Sequence, residues 1–357
     1  MTITQRFFVS IRVMALTIIA AVVVVAVPVT GQEATYTAPR TPDGQPDLQG
    51  FWSNQTYTPL ERPDGVTKEF YTAEEVAEIE TGRTQREISQ TTPGTIPDVH
   101  YDFTQFGLDR SQAGLARSMR TSLIVDPPNG KLPPVTALAE QRAAEQRAAR
   151  ERMGGRWGAA EANELDDRCI IMVGAGPPML NTGYNSNYQI VQAPGYVMIL
   201  VEMVHDARII PLDGREQADD KIRQWMGTSR GHWEGDTLVV ETANFNDKKP
   251  FPWIVLPPDN PNRPDVIKPT YFGSTEDMLV TERFTRVDDE TIIYQFTVDD
   301  KTMWTRSWSA ELPMKKTIGP LFEHACHEGN YSLTNTLVGA RLEEQEAAEE
   351  AAAQKTN

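Results

Sequence analysis

The chain has 357 residues, and 50 acidic against 34 basic side chains leave it a net charge of −16. Such a charge disfavours nucleic acid and anionic membrane surfaces as partners. A hydrophobic content of 39%, with seven Trp and twelve Phe, provides for a sizeable core and excludes a disordered chain.

Residues 1–31 read as a secretory signal peptide. Arg6 and Arg12 precede an apolar run over 13–27, shorter than the ~20 residues that span a bilayer comfortably. Val29 and Gly31 fit the small-residue positions before a cleavage ahead of Gln32. The expected location is periplasmic or extracellular, with no stable membrane insertion once the signal is removed. In that oxidising setting Cys169 and Cys326 are expected to form one disulfide.

Residues 32–340 are expected to form a single β-barrel domain with an insertion over approximately 60–180, and 341–357 an acidic tail. In the lead-in, "LQGFW" sets Gly50 two residues before Trp52. "YTAEEVAEIETG" predicts a short helix, with Thr72 and Glu75 as a capping box and Gly82 as its stop. "RTSLIVDPPNGKLPP" predicts a strand ending in a Pro-Asn-Gly turn. Residues 136–153, rich in Ala, Glu, Gln and Arg, predict a mostly solvated helix. "VGAGPPM" at 173–179 has the wrong glycine spacing for a dinucleotide fingerprint.

From 187 to 315 the pattern becomes alternating, β-branched and aromatic. "NYQIVQ" and "YVMILVEMVHDARIIPL" flank a corner at 193–195, and "SRGHWEGDTLVVETANF" turns at Glu234-Gly235-Asp236. "LVTERFTRVDDETIIYQFTVDDKTMWTRSWSAEL" supplies three more strands. Consecutive antiparallel strands of this kind need a sandwich or closure, since an open meander leaves exposed edges.

Strict alternation through 196–210 puts His205 on an apolar face with Val197, Ile199, Val201 and Met203, and Glu202, Asp206 and Arg208 on the other. A histidine so placed either orients a ligand in a cavity or is a satisfied buried polar group. His232 is expected at the surface. Tyr294 and Phe296 share a face with Ile292 and Val298 as core or cavity wall. Trp304, Arg306 and Trp308 alternate on the next strand, where Arg306 would stack between the two indoles or meet an anionic ligand.

"EHACHEGNYS" at 323–332 holds His324, His327 and Glu328 around Cys326. Three readings stand: fastening of the C-terminal segment, an acid-base role for His327 with Glu328, or a divalent metal held by His324 and His327 at i, i+3 with Glu328, or by His205, His327 and Glu328. The spacing is not His-Glu-x-x-His.

Gly50, Trp52, the meander and a closing helix resemble the lipocalin-like group, which implies an antiparallel up-and-down barrel with Trp52 plugging one end. The motifs "TPDGQPDLQGFW", "RTSLIVDPP", "EMVHDARIIPLDGR", "RGHWEGDTLVVET", "ERFTRVDDETI", "WTRSW" and "ACHEGNY" resemble those of an uncharacterised family of exported bacterial proteins. That resemblance implies export and no activity; the family tends to an aromatic residue where this chain has His324.

The expected fold is thus a mainly β, lipocalin-like barrel with a helical insertion and a C-terminal helix. The expected function is binding of a small apolar or amphipathic molecule, with His205, Tyr294, Phe296, Trp304, Arg306 and Trp308 as candidate contacts. The rival is a periplasmic lyase, isomerase or hydrolase using His205, His327, Glu328 and Glu202, with or without a divalent metal. A third reading is an envelope interaction protein that uses the insertion.

Overall fold

The computed structural model describes residues 36–88, 116, 118–155, 157–181, 186–248 and 275–356. The expected signal peptide lies outside the described residues, as does the expected insertion from 89 to 115. Among the described residues ten antiparallel strands make one sheet: β1 Gly50–Ser53, β2 Ile124–Asp126, β3 Asn187–Ala193, β4 Tyr196–Val201, β5 Ala207–Pro211, β6 Thr228–Glu234, β7 Thr237–Ala243, β8 Leu279–Arg286, β9 Thr291–Asp299 and β10 Trp308–Thr317. Three helices accompany it among the described residues: α1 Ala73–Ile88, α2 Ala137–Arg152 and α3 Tyr331–Thr356.

The strands β3 to β5 and β6 to β10 form two meanders. β1 joins them by pairing with β3 on one side and β10 on the other, while β2, from within the expected insertion, pairs with β10. The hydrogen-bonded path ends at β5 and β6, so strand pairing does not close the sheet into the expected barrel. Side chains link these two ends instead. Arg208 Nη2 on β5 donates to Ser229 Oγ on β6 at 3.3 Å. A Cβ added at Gly231 on β6 would lie 2.8 Å from Ile210 Cγ2 and 2.7 Å from Leu212 Cδ2, so the two edges approach only because that position has no side chain.

Local chemistry explains most of the elements. The hairpin corners place Gly195 and Gly235 at φ of 78° and 59°, which glycine adopts without penalty. α1 opens on a capping box, with Glu75 N donating to Thr72 Oγ1 at 3.3 Å and Thr72 N donating to Glu75 Oε2 at 2.8 Å. Gly82 does not stop this helix, which continues to Ile88 through residues of good helix propensity. α2 is solvated as expected, with Ala139 and Ala143 its buried residues and Thr136 its N-cap. The expected acidic tail is helical: α3 runs without a break from Tyr331 to Thr356.

The core follows the inward faces of the strands. Ile292, Tyr294, Phe296 and Val298 on β9 are all buried, and they join Trp52, Tyr188, Phe284 and Trp308 in one cluster. Burying each such side chain contributes about 1.5–3 kcal/mol. Trp52 Nε1 donates to the Leu48 carbonyl at 2.9 Å, and the Arg286 guanidinium lies 5.8 Å from the centre of its ring.

The stretch 196–210 is not one strand. Val204 and His205, at φ of 61° and 46°, turn the chain between β4 and β5. The turn reverses the alternation: Arg208 and Ile210 are buried, and Ala207 and Ile209 are exposed.

Candidate functional site between β5 and β6

Where the two sheet ends face each other, a cleft of about 580 Å³ opens between residues 206–209 and 223–230. Each wall has a local cause. The left-handed pair at Val204 and His205 brings Asp206 to Ile209 along one side. Gly227, at φ 64°, starts the other; a Cβ there would meet the Ala243 carbonyl oxygen at 2.4 Å. Trp225, Met226 and Ile170 give the cleft apolar surface while packing against the core. Ile170 follows Cys169 directly, so the Cys169–Cys326 disulfide fixes that edge. A second cleft of about 510 Å³ lies between α1, residues 56–63 and Ala116, Ser118 and Arg120.

Arg208 connects the cleft with a polar network in the interior. Its Nη1 donates to Glu282 Oε1 on β8 at 3.0 Å, and Nη2 donates to Glu282 Oε2. Glu282 also accepts from the Tyr294 hydroxyl at 2.8 Å, and that oxygen accepts from Met179 N at 2.9 Å. Tyr188 donates to the Gly174 carbonyl at 2.9 Å and accepts from Asn54 at 3.3 Å. Burial alone would lower the Arg208 pKa, but the adjacent Glu282 carboxylate holds it above the usual arginine value. Burial likewise drives the Tyr188 and Tyr294 phenols well above theirs, so both remain protonated donors. Arg208 Nε is buried with no acceptor among the described residues.

The candidates from the sequence fall in several places. His205 is exposed on the β4–β5 turn, not on an apolar strand face, and its Nδ1 lies 3.4 Å from the His324 carbonyl oxygen. His327 and Glu328 are exposed as well. No three His, Cys, Asp or Glu side chains among the described residues converge as a metal-binding group. Glu202 is buried, accepting from Asn187 Nδ2 at 2.6 Å and from Phe322 N at 3.3 Å, and so ties the strand ends to the C-terminal segment. Tyr294, Phe296, Trp304 and Trp308 are core residues, with the two indoles edge to face at 6.2 Å. Arg306 is exposed and pairs with Asp126; β10 begins only at Trp308, so the expected strand alternation does not extend back through 304–306. His232 is exposed and 3.2 Å from Glu234.

The fastening reading of "EHACHEGNYS" has its covalent part in the Cys169–Cys326 disulfide, whose Cα atoms are 5.7 Å apart. Its hydrogen-bonded part comes from Asn330, whose Nδ2 donates to the Asp167 carbonyl at 3.1 Å, rather than from His327 or Glu328. Sequence reasoning missed Glu282. The signal was present: alternation in "LVTERFTRV" places it between Val280 and Phe284 on an inward face. No helix among the described residues is long and apolar enough to cross a membrane. Comparison with protein-family models, curated proteins and solved structures returns no match for this chain.

Proposed function

We propose that this chain is an exported protein that binds a small amphipathic molecule in the cleft between β5 and β6. The observation that carries the reading is the cleft itself: Ile170, Ile209, Trp225 and Met226 offer apolar surface, and a buried arginine with a spare donor stands at its inner end. Its volume falls within the range of about 300–1,000 Å³ that holds small ligands, and a few polar groups on apolar walls are what such sites use to orient a guest. In this reading the sheet is a lipocalin-like barrel whose seam at β5 and β6 is joined by side chains and doubles as the ligand entrance. Export is supported by the disulfide, a bond that persists in oxidising compartments.

Titration with the neutral fluorophore N-phenylnaphthylamine tests this. Saturable binding of one equivalent is expected, and Trp225→Ala or Ile209→Asp should remove it. Ile209 is 56% exposed, so its replacement does not disturb the core. Saturable binding that survives both substitutions would place the ligand elsewhere, and the absence of binding would contradict the function.

A further inference from the structure

The charges around the cleft are unusual for so acidic a chain. Arg208, Arg223 and Arg230 line it together with one carboxylate, Asp206. Glu282 neutralises Arg208 from below. Glu276 stands beside Arg223, so Arg230 is the lining arginine that has no ion pair with a carboxylate among the described residues, in a protein whose total charge is −16.

The unpaired guanidinium of Arg230 is nevertheless held in place. Arg230 Nε donates to the Glu216 carbonyl and Nη1 to the Ser229 carbonyl, both at 2.8 Å. These contacts hold the guanidinium in place without neutralising it, and they occupy only part of its set of N–H donors. Glu241 stands opposite Arg230 on β7, yet no carboxylate among the described residues forms an ion pair with it. Arg223 Nη1 donates to the Glu276 carbonyl at 2.7 Å, and its Nη2 makes a long ion pair with the exposed Glu276 carboxylate at 4.0 Å, which leaves it donors to spare but a weaker claim on an anion than Arg230. Fixed guanidiniums with unused donors match a planar carboxylate, which accepts two parallel N–H bonds. Asp206 on the lining works against a second negative charge on the guest.

We infer that the cleft selects an organic monocarboxylate, its apolar body against Ile209, Trp225 and Met226 and its carboxylate on Arg230 and Arg223. This choice of ligand class rests on the binding function proposed above. The same donors recognise the anion whether the body is aliphatic or aromatic.

The test uses three amphiphiles with one tail, each displacing N-phenylnaphthylamine: dodecanoate, dodecanol and dodecyltrimethylammonium. Dodecanoate should outcompete dodecanol by at least about tenfold, the worth of a charge-assisted hydrogen bond, and the ammonium by more. Arg230→Gln should bring the dodecanoate-to-dodecanol ratio close to one, and Arg223→Gln should lower it in part. Arg283→Gln removes an equal charge from an arginine that already pairs with Glu234 at 2.7 Å, and it should leave the ratio as it was. Because each ratio is taken within one variant, partial unfolding cancels. Dodecanol binding as tightly as dodecanoate in the unaltered protein would overturn the carboxylate inference and leave the binding function standing. Failure of the probe itself to bind would overturn both.

Discussion

Arg208 on β5 and Glu282 on β8 form an ion pair sealed from solvent, bonded through both carboxylate oxygens and joined by the Tyr294 hydroxyl. Removing one partner strands a charge in the interior, which costs about 3–5 kcal/mol, whereas replacing both with apolar groups of similar volume is often neutral. Glu282→Leu alone is therefore expected to destabilise the fold by that amount. The double variant Arg208→Met with Glu282→Leu should recover most of the loss. Urea unfolding of the two singles and the double, as a mutant cycle, measures the coupling. Equal losses in the double and the single would contradict the pairing.

The disulfide spans a sequence separation of 157 residues. In the chain-entropy description, closing so long a loop in the unfolded chain contributes about 5 kcal/mol. Replacing both cysteines by serine should lower the unfolding midpoint accordingly and, because Cys169 adjoins Ile170, also weaken binding in the cleft. An unchanged midpoint would show that Asn330 and Glu202 suffice to hold the C-terminal segment.

Gly231 marks where the two sheet ends touch. Gly231→Ala drives a methyl group into Ile210 and Leu212, and overpacking of this kind costs about 1–3 kcal/mol. Adding Leu212→Ala should return part of that stability. Thermal denaturation of the single and double variants checks it; a harmless Gly231→Ala would mean that the ends are farther apart.

Asp300 provides a pH test. Its carboxylate accepts from Thr275 Oγ1 at 2.9 Å and from the N–H groups of Thr302 and Met303 at 3.1 and 3.0 Å, yet burial raises its pKa above the usual aspartate value. A raised folded pKa means that the folded state holds the proton more tightly than the unfolded one. The contribution of Asp300 to stability therefore grows as pH falls through the folded pKa towards the unfolded value, and is least at neutral pH. Asp300→Asn keeps an acceptor for the two N–H groups and should match or exceed the unaltered protein at neutral pH. That advantage should shrink in mild acid. Unfolding midpoints at the two pH values decide it, and a large loss at neutral pH would contradict the direction.

The sequence made much of this legible where the signal was local. Gly195 and Gly235 marked their hairpins, Thr72 with Glu75 marked a helix start, and two cysteines in a chain expected to be exported suggested one bridge. What stayed hidden depended on contacts remote in sequence or on an unusual backbone. The turn at 203–205 carries Met, Val and His, none of them a turn former, and its left-handed residues include a β-branched valine. Alternation therefore ran straight through it, placing His205 inside and Arg208 outside, the reverse of the structure. The cleft arises from the meeting of the free ends of two meanders, which no local pattern encodes.

The most direct measurement is photolabelling of the natively folded protein with a dodecyl amphiphile that carries a diazirine in its tail and a carboxylate at its head, followed by mapping of the modified residues by mass spectrometry. Label concentrated on residues 206–209 and 223–230, and suppressed by excess dodecanoate, is the expected result. Saturable label concentrated elsewhere, or label spread over the surface and indifferent to competitor, would contradict the assignment of the β5–β6 cleft as the binding site.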